Sequence, residues 1–500
     1  MSITLFNTLR PVGGIAAAIA GVLFLFLCIR SLYYTFFHPL AKVPGPKLYA
    51  FSDIPYLYHL LRGEWPRKLK QLHDEYGPAV RYTTNNVSFT TPGAWKTIYG
   101  HRTGSQDTFQ KDRIFYRTTL SGHPNIITAN DDDHRRHRRL LAHAFSEKAL
   151  RGQEDIMKHY IDLFINKLRS MSSQGEAVDM VRWYNFATFD LIGDLAFGQP
   201  FGCLESGGYN PWVALIFQTI KQSVFGETMN RYPVLKSFAS LVQPAALVRS
   251  REEHWALSEQ TAKKRIESGN TTREDFMSYI LRHNDEKGMT QGEIVENASV
   301  LIIAGSETTA TQLSGTTFQL LTNPDKYEIL VREIREAFES EEDITLLRVN
   351  GLEYMKAVFE EGFRLYPPVP NALPRRTPAK GEYIEGYWIP GDTAVGVPQW
   401  ASYQSERNFR DAHKFVPERW LGDPEYAHDV RDVLQPFSVG PRNCIGKNLA
   451  YAEMRLILAR LLWNFDLELM PESRKWSDQK TYLLWDKGAM NVKLSPVLRE

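Results

Sequence analysis

Residues 437–446 read Phe-Ser-Val-Gly-Pro-Arg-Asn-Cys-Ile-Gly, a loop that sets one cysteine, Cys444, between Gly440 and Gly446 at the mouth of an apparent helix. Leu449, Ala452, Leu456, Ala459 and Trp463 recur at three- and four-residue steps, the apolar spacing of a helix that begins at the cysteine. Backbone N–H groups and the helix dipole at such a position favour a thiolate over a thiol. Glycine relieves the steric limit on backbone angles, so the loop is free to curl around the sulfur and aim amides at it. Arg442, two residues earlier, is placed to hold an anionic group beside the same metal or cofactor. An inert core residue is the commoner use of a lone cysteine. That use needs none of these neighbours, and the rest of the chain reads as support for the sulfur.

The chain has 500 residues, 43% of them hydrophobic and 12% aromatic, enough to bury a large core. Lysine and arginine number 59 against 58 acidic residues, a net charge of +1, so no nucleic acid is expected as a general partner. The three cysteines, Cys28, Cys203 and Cys444, are too few and too scattered for a disulfide framework and fit a reducing compartment.

Residues 11–29 are almost wholly apolar and carry no charge, close to the ~20 residues a membrane-spanning helix needs. A cleaved signal peptide is the competing reading, but Arg30, Tyr33, Tyr34, Phe36 and Phe37 follow without a small-residue cleavage site. Arg30, Lys42 and Lys47 outnumber the upstream Arg10, which places the body of the protein in the cytosol. The prolines of Val43-Pro44-Gly45-Pro46 stop any helix from running on. The chain therefore divides into an anchor (1–30), a proline-rich hinge (31–50) and one large body (51–500).

Within the body, residues 79–91 predict a hairpin turning at Thr84-Asn85-Asn86. Residues 183–198 and 211–248 are helical in pattern, and Gly269-Asn270 marks a loop. Thr290-Gln291-Gly292-Glu293 is a capping box that opens a helix extending to about Thr322. Inside that helix, residues 304–309 read Ala-Gly-Ser-Glu-Thr-Thr, a locally poor helix sequence: glycine costs roughly 1 kcal/mol against alanine, and threonine hydroxyls compete for backbone bonds. Such rule-breaking in a central helix points to a functional site, with a small-residue packing seam as the alternative. Short strands are expected at 382–384, 387–389 and 393–395.

Phe437, Gly440, Arg442, Cys444 and Gly446 match, position for position, the haem-binding loop Phe-x-x-Gly-x-Arg-x-Cys-x-Gly, and the chain thereby resembles the cytochrome P-450 superfamily. The resemblance implies a mainly α fold, a triangular helical domain with small β-sheets, in which haem b lies between the central helix and the cysteine helix with Cys444 as axial ligand. It further implies that His134 and Arg138, which occupy the family's Trp-x-x-x-Arg positions with histidine for tryptophan, hold a haem propionate, as does Arg375 in preference to Arg376. By the same resemblance Thr308 hydrogen-bonds dioxygen or an adjacent water and Glu307 relays protons. Glu361, Arg364 and Arg419 form a structural triad behind the cysteine loop. Substrate-pocket candidates are Ala304, Val369, Ala372, Leu373, Phe115 and Leu484, the last two being equally readable as core.

The implied function is a monooxygenase, anchored in the endoplasmic reticulum membrane, that inserts one atom of dioxygen into a lipophilic small molecule. Its electrons are expected from NADPH-cytochrome P-450 reductase. Residues 38–47 and 304–311 resemble the fungal secondary-metabolism branch, which implies a terpenoid, polyketide or alkaloid substrate. A redox-neutral haem-thiolate isomerase or lyase would not need the Glu307–Thr308 pair. A haem sensor or carrier would have little use for anchor, relay and distal groove together.

Overall fold

The computed structural model describes residues 18–104, 106–116, 119, 121–232, 245–269, 273–285 and 287–498. Helices dominate, and three small sheets lie among them. Residues 11–17 of the apolar run, residues 233–244 of the expected helix 211–248, and Asn270 lie outside the described residues.

The central helix, Gln291–Thr322, spans 32 residues, about 48 Å at 1.5 Å per residue. Its start is fixed locally. The Thr290 hydroxyl accepts from the Glu293 N–H at 3.3 Å while the Glu293 carboxylate accepts from the Thr290 N–H at 2.8 Å, satisfying two otherwise orphaned donors. Two glycines let other elements approach closely. A Cβ at Gly305 would lie 2.8 Å from Ile192 of the helix Met180–Phe197, and one at Gly315 only 2.3 Å from Tyr366. Gly305 is thus accounted for by packing, as the alternative reading of residues 304–309 had it.

The cysteine helix runs Lys447–Asn464, starting three residues after Cys444, with Gly446 as its N-cap. The expected helix at 183–198 is Met180–Phe197. The single expectation for 211–248 resolves into two helices, Pro211–Arg231 and Ala245–Glu267.

The largest sheet has the order β1 (Ala79–Thr83), β2 (Asn86–Phe89), β8 (Ala394–Gly396), β5 (Arg375–Arg376), β3 (Gln110–Lys111). Its first two strands form the expected hairpin, and the β3–β5 register sets Lys111 opposite Arg375. A second sheet joins β4 (Val178–Asp179), β10 (Asn491–Pro496) and β9 (Phe465–Leu469), and β6 (Glu382–Ile384) pairs with β7 (Tyr387–Ile389).

The apolar N-terminal helix Ala18–Phe37 has a mean hydropathy of 1.8 and is unburied, as a membrane span would be. Its end is tied to the body. Arg81, 2% exposed on β1, donates to the Tyr34 carbonyl at 2.8 Å and to the Thr84 carbonyl at 2.7 Å, and its N–H donates to the Pro44 carbonyl.

In the body, Glu361, Arg364 and Arg419 are each 0% exposed. Arg364 grips the carboxylate through two bonds of 2.8 and 2.9 Å, Arg419 adds a third at 3.1 Å, and the Trp420 and Val416 N–H groups complete it. Burial raises the proton affinity of Glu361, but the two guanidinium groups hold it below the usual carboxylate range. Every polar atom is matched, which is the condition for a buried ion pair to be tolerated. Arg364→Ala should therefore destabilise the protein by about 3–5 kcal/mol, and Arg364→Lys, which cannot fork, should restore only part of it. Thermal unfolding of the three proteins checks this.

Candidate active site

The cysteine loop closes on itself through the Cys444 N–H, which donates to the Phe437 carbonyl at 2.8 Å. Gly440 has φ of +75°, and a Cβ there would lie 1.9 Å from the Tyr99 carbonyl oxygen, so glycine is demanded by both backbone angle and space. Phe437 packs edge-on against Phe363 at 5.2 Å. The Cys444 side chain is accessible, yet protein surrounds it closely enough that burial pushes its thiol up, opposed by the Gly446 amide, Arg138 and Lys447. The expected preference for thiolate is thus not met by the loop alone. Desolvation outweighs the amides and cations, and a coordinating metal ion is what deprotonates such a thiol.

Beside this loop, cations converge. His134, 6% exposed, is pushed down to about 3 by burial and by Arg442, Lys111, Arg138 and Arg375. It therefore presents a neutral imidazole with one N–H to donate. Lys111 is held well below the lysine range by burial, Arg375 and Arg442, and it donates to the Ile127 carbonyl. Arg442 donates to Asp131 at 2.8 Å and to the Ala129 carbonyl at 2.9 Å. Burial raises Asp131, but its bonds to Arg442, Thr108 and Gln110 bring it down to about 2. Arg138 holds the residue before the cysteine, donating to both the carbonyl and the side chain of Asn443 at 2.6 and 2.5 Å. Among the described residues, Arg375 Nε and Arg442 Nη1 are buried without a partner. Orphaned guanidinium atoms in an excess of buried positive charge call for an anion. The two carboxylates of a haem fit that requirement, and Cys444 fits its iron.

On the central helix, Ala304 is exposed and Thr308 partly so, although most of their neighbours are buried. The Thr308 hydroxyl donates back to the Ala304 carbonyl at 2.6 Å. Glu307, 2% exposed, bonds instead to Lys487, whose ammonium lies 2.5 Å from Glu307 Oε1 and 2.5 Å from Thr311 Oγ1. Burial raises Glu307 and Lys487 opposes the rise.

A cavity of about 810 Å³, counted out to open solvent, is lined by Tyr56, Trp65, Tyr82, Phe115, Ala372 and Leu483 among others. Of the pocket candidates it brings together Phe115 and Ala372. Ala304 faces outward from the central helix, Val369 is half-buried, Leu373 packs on the smaller core, and Leu484 is buried while Leu483 takes the cavity wall.

Sequence reasoning missed Lys111, Lys487 and Glu453. Lys111 is recognisable only through the β3–β5 register. Lys487 had one local signal, a lone lysine after Leu483-Leu484-Trp485. Glu453, on the cysteine helix and 2% exposed, is pushed to about 8 by burial despite a bond to Thr309.

The fold and site define a class: mainly helical proteins with a long central helix and a buried cation cluster beside a cysteine loop. Residues 44–494 match the family described as Cytochrome P450, and the chain belongs to it. It is 46% identical to "Cytochrome P450 monooxygenase aclL" of Aspergillus oryzae (strain ATCC 42149 / RIB 40), over 95% of this chain and 97% of that protein. It is 45% identical to "Trichothecene C-4 hydroxylase" of Trichoderma arundinaceum, over 97% of each. With "Cytochrome P450 monooxygenase atr2" of Stereocaulon alpinum it shares 42% identity over 100% of this chain and 99% of that protein. The family implies a haem-thiolate cofactor, dioxygen, a lipophilic substrate and a redox partner.

Two outcomes follow. Glu453 is raised from 4.5 to about 8 in the folded protein, so the stability it contributes is complete below pH 4.5 and is lost as pH rises to about 8, on the order of 5 kcal/mol at most. Glu453→Gln removes that loss. Its thermal midpoint relative to the unsubstituted protein should climb between pH 5 and pH 8. Gly440→Ala should lower haem retention, read as the ratio of haem to protein absorbance after gel filtration.

Proposed function

We propose that this chain is a membrane-anchored haem b monooxygenase that inserts one atom of dioxygen into a lipophilic intermediate of secondary metabolism, by hydroxylation or epoxidation. Its electrons come from NADPH-cytochrome P-450 reductase at the endoplasmic reticulum membrane. The observation that carries this reading is Arg138: it belongs to the cation cluster and also fixes Asn443, so one side chain joins the anion site to the cysteine loop. The apolar helix Ala18–Phe37 supports the anchor, and Leu48, Ile54 and Tyr58 extend an exposed apolar surface beside it.

Haem bound here supplies dioxygen activation and electron transfer. The chain's own residues do the rest. His134, Arg138, Arg375 and Arg442 bind and orient the propionates, while Glu361, Arg364 and Arg419 hold the cysteine loop rigid. The cavity sets the aromatics Tyr56, Trp65 and Phe115 beside the polar Asn86, Asp112, Glu227 and Arg231, a lining suited to a largely apolar substrate that carries a polar group. Thr308 hands a proton toward the oxygen site and Glu307 replaces it, because dioxygen cleavage consumes two protons that a dry pocket does not otherwise provide. The relatives named for monooxygenase and hydroxylase activities support the same chemistry.

Reduced protein exposed to carbon monoxide should show the red-shifted absorption of thiolate ligation, and Cys444→Ser should lose it. Thr308→Ala should lower product formed per electron pair, by up to about 10²-fold, while electron consumption continues. With the reductase and labelled dioxygen, one labelled atom should appear in product by mass. Turnover without label would replace this reading with a redox-neutral rearrangement.

A further inference from the structure

The buried carboxylates Glu361 and Glu307 are treated differently by the fold. Glu361 has both oxygens engaged, by two arginines, a tryptophan N–H and a backbone N–H. Glu307 has one oxygen engaged. Lys487 binds Oε1 at 2.5 Å, both side chains are 3% exposed, and Oε2 is buried without a partner among the described residues. A purely structural ion pair at that depth requires its remaining lone pairs to be met. The cation is also unusually placed. Lys487 belongs to the C-terminal segment before β10; its own side chain is buried, and the next two residues in the chain, Gly488 and Ala489, are exposed.

We propose that Lys487 is a positioning residue for proton delivery: it fixes Glu307 Oε1, with Thr311 as second acceptor, so that the free Oε2 exchanges protons between the Thr308 side and the exposed turn at 488–489. This rests on the relay reading of Glu307 given above. For each of the two protons consumed in a cycle, the Glu307 O–H bond breaks as the proton passes toward Thr308, and the carboxylate regains a proton from water at the turn. No electrons are moved by this step. The other titratable groups whose charge interaction with Glu307 is felt here are the Tyr209 and Tyr366 hydroxyls. Burial, with Glu307 adding to it, raises Tyr209 to about 12 and Tyr366 well above the ordinary tyrosine value. Both stay protonated near neutrality and neither competes as a proton source.

The test uses full-length holoprotein as Lys487→Met, Lys487→Arg, Glu307→Gln and the double variant Lys487→Met/Glu307→Gln. In the ferric, substrate-free state, the infrared band of protonated Glu307 should persist in Lys487→Met to a pH higher by about one unit or more, and the double variant should lack that band. Product per electron pair should fall about tenfold, its pH profile should move alkaline, and the solvent isotope effect should rise, with KM unchanged. Lys487→Arg should recover most of each. Should Lys487→Met take up no haem, Lys487→Gln is read in the same way. Unchanged Glu307 titration and coupling in Lys487→Met, with Glu307→Gln impaired, overturns the role of Lys487 alone. A Glu307→Gln protein with normal coupling and isotope effect overturns the relay itself, and this role with it.

Discussion

Positive charge in excess of its local partners is the constraint on which this structure turns. Lys111, Arg138, Arg375 and Arg442 converge on His134, and the carboxylate bonded within the group is Asp131. Like charges held this close repel, and burial strengthens the repulsion. The elements that carry them come from far apart in the chain: the short strands β3 and β5, the helix Asp131–Leu141 and the cysteine loop. They are tied by the Arg138–Asn443 and Arg442–Asp131 bonds and by the β3–β5 pairing, and an anion beside the cluster would offset the remaining repulsion.

Around that open cluster the fold places closed ones. The Glu361 network leaves no acceptor unmet, and the capping box at Thr290 does the same for the start of the central helix. Closed networks hold position, and open ones receive a ligand or a proton. The same rule separates Glu361 from Glu307, and it separates Arg364 from Arg375, whose Nε has no partner among the described residues.

How much of this was legible in the sequence follows from how local each determinant is. The central helix was readable to within a residue because its start is set by Thr290 and Glu293, three positions apart. The β1–β2 hairpin was readable for the same reason. The two helices described in the stretch from residue 211 on, Pro211–Arg231 and Ala245–Glu267, were not told apart, although Pro233 and Pro244 stand between them, because both carry helical patterns. In the site, the motif residues were nameable through the family resemblance, but Lys111 and Lys487 arrive by strand register and by a contact spanning 180 positions in sequence. Leu484 was named for the cavity where Leu483 lines it, because residues 481–485 form a tight bend closed by the Thr481–Trp485 bridge, and a bend of this kind has no side-chain period to read from sequence.

The buried guanidinium of Arg81 has a practical bearing on any soluble form of this enzyme. Its acceptor at Tyr34 lies past the most apolar part of the anchor, so trimming the chain after residue 30 keeps the bond, and trimming after residue 40 removes it while the Ala50 and Thr84 carbonyls remain on the other end of the guanidinium. The same bond makes the last turn of the anchor a bracket instead of a tether. The orientation of the body relative to the apolar helix Ala18–Phe37 is thereby held by a strand of the body itself.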